Sequence, residues 1–196
     1  MINRSKRITI WARWLATFIG FPAAGVVARL LVSDVDGLRA AVAGGLAGGL
    51  VLGGVQAVVG GIATGQRLRW SLATAAGMGA GLAIGAGTVG YRTDTASLVT
   101  MGAICGAGVG LAQALAVPMR TIDRGLWVAA TPVLWATGWL ITAQVIVDAE
   151  RQHAVFGSSG ALFVSAVAGI LVAFRRPLHS GASVASPATV LSAGAS

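Results

Sequence analysis

Six continuously apolar runs, at 11–32, 39–64, 70–90, 97–117, 125–147 and 157–174, alternate with short charged or polar breaks. About 20 such residues at 1.5 Å rise cross roughly 30 Å of hydrocarbon, so the pattern predicts six transmembrane helices. Barrel strands would alternate polar and apolar positions in segments of about ten residues, and that alternation is absent. The fold class expected is therefore all-α, a polytopic integral membrane protein. The breaks are too short to hold a soluble domain, the longest being 148–156. The chain divides into a basic N-terminus (1–10), a helical domain (11–174) and a polar, small-residue tail (175–196) expected to be disordered in the cytoplasm.

A second pattern lies on the first. Shifted by 57 residues, 45–84 aligns with 102–141 without a gap, and twelve positions agree, among them Gln56/Gln113, Arg67/Arg124 and Trp70/Trp127. Alanine and glycine match by composition alone, whereas Gln, Arg and Trp at one offset indicate a duplicated helical hairpin. An offset of two helices keeps both copies in one orientation, making them parallel repeats. Gly157, Ala161, Ser165 and Gly169 continue the small-every-four spacing, and Trp14 with Thr17 echoes Trp70 with Thr74 at one residue's shift. Pairing of the sixth run with the first would close three hairpins into a ring.

Each shared element has a physical reading. Gly45, Gly49 and Gly53, repeated as Gly102, Gly106 and Gly110, form small-xxx-small stripes that let helix backbones approach where lipid supplies no hydrophobic drive. Gln56 and Gln113 follow three residues after each stripe, on nearly the same face. They are candidates for interhelical hydrogen bonding or for lining a polar path, and Gln144 on the fifth run joins them as a candidate. Arg67, Trp70, Arg124 and Trp127 suit interfacial anchors, with aromatic rings and guanidinium groups at headgroup depth. Trp135 and Trp139 form either a lipid-facing ridge or a stacking face, and Pro22 and Pro132 are candidate kinks.

Charge gives the orientation. Ten basic residues and one acidic lie on the side of the N-terminus, against four basic and five acidic on the other, which divides the net charge of +8 as +9 and −1. Lysine and arginine near helix ends stay cytoplasmic, so both termini are expected inside. The dominance of alanine, glycine and valine fits a bacterial coding bias, so the membrane expected is a bacterial plasma (inner) membrane. The N-terminus has a basic start and small residues near Ala28, but its apolar stretch is longer than a signal peptide's, and retention is expected. The basic residues sit singly or in pairs at helix ends facing an anionic leaflet, which excludes nucleic acid as a partner. The lipid bilayer is the expected partner, with a second copy or another membrane protein.

The Gly-rich helix, Gln, basic inner turn and Trp-bearing helix, used twice over 44–174, resemble a group of small multi-pass bacterial membrane proteins of uncharacterised function. There the glutamine is often followed by Trp, whereas Ala57 and Ala114 stand here. The resemblance implies a membrane fold and no activity. Ionisable groups at membrane depth mark function by default, and this chain nearly lacks them. His153 and His179 lie outside the runs, Cys105 is the single cysteine, and no nucleophile, metal or phosphate-binding motif occurs. Neither a cofactor nor catalysis is expected. The reading is a helix-packing scaffold or accessory subunit, with a small transporter or channel for a neutral or apolar solute as the alternative.

Overall fold

Backbone groups in an apolar stretch must find partners within the chain, and in a computed structural model of the protein every apolar run does so as a helix. The structure describes residues 3–145 and 157–174. Helices α1 (Arg4–Ala16) and α2 (Gly20–Val32) are joined by one 3-10 turn (Thr17–Ile19) into a single rod, followed by α3 (Leu38–Val59). A short 3-10 turn (Thr64–Gln66) leads to α4 (Arg67–Thr88), then α5 (Thr95–Ala116), α6 (Thr121–Val145) and α7 (Ser158–Ala173). No strand occurs among the described residues. The segment 146–156 with His153, and the tail 175–196 with His179, lie outside the described residues.

Local chemistry sets the ends. Asn3 caps α1 by accepting from Lys6 N at 2.9 Å. Asp94 caps α5, accepting from Ser97 Oγ at 2.6 Å and Ser97 N at 3.0 Å, and these bonds hold its carboxyl below the ordinary value of 3.8. The first rod begins seven residues before the apolar run, because the basic stretch 4–10 is also helical. The second run, expected to reach 64, stops at Val59 because the chain turns at Gly60 and Gly61, the latter at φ +84° with the Arg13 guanidinium against it.

Four rods are long and apolar enough to cross a membrane: 4–32, 38–59, 95–116 and 121–145. The six expected spans are thus met in part. Helix α7 is apolar but has 16 residues. Helix α4 has 22 residues, yet it carries two arginines, a serine, two threonines and five glycines. Half of α4 is buried between α3 and α5, so its sequence answers to close packing more than to lipid.

Successive rods pack side by side, and α7 packs on both α6 and α1, so the six rods close into a ring in chain order. The glycine stripes set the spacing. A Cβ on Gly45, Gly49 or Gly53 would stand 2.7–2.8 Å from the α-carbons of Gly79, Ala75 and Ser71, a register in which α3 advances four residues as α4 retreats four. In the second hairpin a Cβ on Gly106 or Gly110 would stand 2.8 Å from Thr131, while Gly102 lies under the Trp139 ring. The two hairpins join through glycine contacts that lie between the copies: Gly77 against the Gly108 carbonyl and Gly81 against the Cys105 backbone.

Gly49 and Gly54 test this packing, since a Cβ at Gly54 meets nothing within 4 Å. Gly49→Ala is expected to lower unfolding free energy by about 1–3 kcal/mol through overpacking against backbone. Gly54→Ala is expected to be neutral or to gain up to about 1 kcal/mol from helix propensity. Unfolding titrations in mixed micelles, followed by circular dichroism, compare the two.

Candidate functional site

Gln56 and Gln113 stand at the C-terminal ends of α3 and α5, just past the glycine stripes, and both are buried. A buried amide has to place two N–H groups and a carbonyl oxygen, so its surroundings are informative. The Trp70 indole N–H donates to Gln56 Oε1 at 3.1 Å, and the Trp127 indole N–H donates to Gln113 Oε1 at 3.1 Å. An indole nitrogen is a donor only, which fixes which way each amide faces. Gln113 Nε2 then donates to Gln56 Oε1 at 3.1 Å and to Thr74 Oγ1 at 2.8 Å, linking the two hairpins across the ring.

Trp14 completes the arrangement. Its ring meets Trp70 edge-on at 6.1 Å between centroids and Trp127 at 5.7 Å, and Trp70 and Trp127 stand 6.0 Å apart. One tryptophan from each odd-even pair of rods thus forms a triangle on the ring axis. Behind each is a threonine whose hydroxyl donates to that tryptophan's own carbonyl: Thr74 to Trp70 at 2.8 Å, Thr131 to Trp127 at 2.6 Å and Thr17 to Trp14 at 2.6 Å. In the first two the spacing is four residues and in the third it is three. The 3-10 turn at Thr17–Ile19 has about three residues per turn, so it absorbs the missing residue and keeps the threonine in place.

The predicted residues separate accordingly. Gln56 and Gln113 come together. Gln144 does not join them: it is exposed in the last turn of α6, because its run reached further along the sequence than its inward face does. Trp70 and Trp127 were expected as interfacial anchors, but their side chains are 1% and 5% exposed and face the ring axis, held there by the glutamines. Trp135 and Trp139 form no lipid-facing ridge. Both are buried, Trp135 edge-on to Phe21 at 5.8 Å and Trp139 over Gly102.

The arginines act on helix ends. Arg124 Nε donates to the Ala114 carbonyl in the last turn of α5 at 3.1 Å, and Arg67 Nε to the Ile62 carbonyl at 3.1 Å. Arg13, which the repeat did not single out, donates to the Val59 and Val58 carbonyls at 2.9 and 3.3 Å and so caps α3. Positive charge at a helix C-terminus also complements the helix dipole.

Beside the triangle lies a cavity of about 20 Å³, lined in part by Trp14, Thr17, Gln56, Gln113, Ser165 and Ala168. Its polar groups are amide, indole and hydroxyl, which exchange hydrogen bonds but hold no titratable proton near neutral pH. Among the described residues no group of three His, Cys, Asp or Glu could hold a metal. No family model, curated protein or solved structure matches the chain.

The signal that could have turned Trp70 inward was present. Trp70, Thr74 and Gly81 recur as Trp127, Thr131 and Gly138 at spacings of four and eleven, which place them on one helix face with the packing glycine. Gln113 makes three of these bonds and Gln56 two, so Gln113→Leu is expected to cost about 1–2 kcal/mol and Gln56→Leu less. Unfolding titrations of both variants measure this, and a Gln113→Leu protein as stable as wild type would refute the network.

Proposed function

We propose that the chain is a six-span bacterial inner-membrane protein, both termini cytoplasmic, built from parallel-repeated hairpins and serving as a non-catalytic packing scaffold or accessory subunit. The observation that carries this reading is the closure of the ring axis. Three tryptophans fill it at the arginine-rich end, the Gln113 amide pairs with Gln56, Thr74 and Trp127, and the cavity that the two glutamines line is about 20 Å³, while a further space of about 120 Å³ borders Trp127 with Asp123, Leu126 and Phe174. A solute path needs a wetted, continuous interior, whereas a scaffold needs a rigid one.

The outer surface supports membrane residence for all six rods. Large apolar side chains are exposed on each: Leu30, Leu50, Leu72, Leu115, Val133 and Ile170 stand one per rod in chain order. Leu72 and Ile84 give α4 an apolar outer face despite its small, polar inner one. Such faces suit lipid, a second copy or another membrane protein as partner, and the basic residues, set singly or in pairs at helix ends, suit an anionic leaflet rather than nucleic acid.

The rival reading, a small transporter or channel for a neutral or apolar solute, draws on the cavity, and it requires the tryptophan triangle to part. Thiol accessibility separates the two. In a Cys105→Ala background, Gln56→Cys and Gln113→Cys are exposed in native membranes to a small, hydrophilic, impermeant thiol reagent from either side. The scaffold reading expects neither to react while cysteines at helix ends do. Reaction at both positions refutes it.

A further inference from the structure

The three tryptophans are not equally served. Trp70 and Trp127 each donate to a glutamine on the preceding helix, but the Trp14 indole N–H makes no hydrogen bond among the described residues. The helix preceding Trp14 in the ring is α7. Along α7 the small residues Gly157, Ala161 and Ser165 take the places of Gly45, Gly49 and Gly53, so the place of Gln56 falls three residues after Ser165, at Ala168. The third hairpin therefore lacks its amide.

What stands there is the cavity. Trp14, Ser165 and Ala168 all line it, along with Gln56, whose Nε2 donates to nothing among the described residues. Ser165 is 2% exposed, and its Oγ has no hydrogen-bond partner among the described residues. Buried serines in helices commonly donate to a carbonyl of the preceding turn, as Ser71 does to Arg67 O at 3.0 Å. Ser165 with its orphaned hydroxyl, Trp14 and Gln56 thus line one space, and a hydroxyl, an indole N–H and an amide N–H together suit a molecule that both accepts and donates.

We infer that this cavity is a binding site for a single ordered water, which takes the place of the third glutamine by accepting from Trp14 and from Gln56 and exchanging a bond with Ser165. Size decides the ligand. A buried water needs at least about 10–15 Å³ and two to four polar partners, which a cavity of about 20 Å³ among three such groups supplies. Any larger neutral solute is excluded without movement of the helices. The inference stands whether the bundle is a scaffold or a transporter.

X-ray radiolytic footprinting of the intact wild-type protein in lipid nanodiscs tests it, because hydroxyl radicals formed from a trapped water oxidise the side chains beside it. Trp14 and Trp135 line the cavity at 2% and 3% exposure, whereas Trp70 and Trp139, at 1% and 2%, do not; Trp127 is left out of the comparison because it also borders a larger space. The expected result is oxidation of the lining tryptophans several-fold faster than of Trp70 and Trp139, undiminished by a bulk radical scavenger. Equal rates in the two sets overturn the proposal. Ser165→Ala gives an independent sign: with a water bound it removes a partner and lowers the thermal midpoint by roughly 2–4 °C. In a dry cavity it removes an unsatisfied hydroxyl, and an unchanged or raised midpoint overturns the proposal.

Discussion

Few constraints are stricter than that on the Gln113 amide. Buried within a ring of apolar helices, it has to satisfy two N–H groups and a carbonyl oxygen without water, since an unpaired polar group in such surroundings costs about 1–3 kcal/mol. It does so by reaching Trp127 in its own hairpin and Gln56 and Thr74 in the other. For those bonds to form, α3, α4, α5 and α6 must all hold one register and one depth. Helices in lipid lack the hydrophobic drive that would otherwise choose among registers, so a few directional bonds and close backbone contacts do the choosing.

The glycines make the short distances available. With Gly45, Gly49 and Gly53 within van der Waals reach of the α4 backbone, the end of α3 is brought close enough for Gln56 to meet Trp70. The tryptophans in turn occupy the axis that six helices in a ring would leave open. Close packing, hydrogen bonding and filling of the axis are one arrangement seen from three sides. The same arrangement tolerates drift in the third hairpin, where the 3-10 turn at Thr17–Ile19 makes up for a shorter spacing and a small cavity stands where Ala168 leaves room.

Much of this was legible in the residues. The helical nature of every described run and the inward face of Gln56 and Gln113 follow from periodicity. Trp70 and Trp127 were misread because an aromatic residue beside arginine at a helix start has two uses, and position along the helix does not distinguish a belt from a core. The face does, and it was written in the repeated threonine four residues on. Gln144 was overvalued for the opposite reason: apolar neighbours in sequence said nothing about its side of α6. The contacts of Gly77 and Gly81 with α5 lie between the copies, so no comparison of one copy with the other could reveal them.

The central claim is that one amide-to-amide hydrogen bond, from Gln113 Nε2 to Gln56 Oε1, ties the two hairpins together. A double-mutant cycle with Gln56→Leu, Gln113→Leu and the pair, measured by unfolding in mixed micelles, tests it most directly. The account predicts non-additivity of about 0.6–1.7 kcal/mol, the double variant losing less than the sum of the singles. Additivity within about 0.3 kcal/mol would mean the two glutamines do not sense one another, and would contradict it.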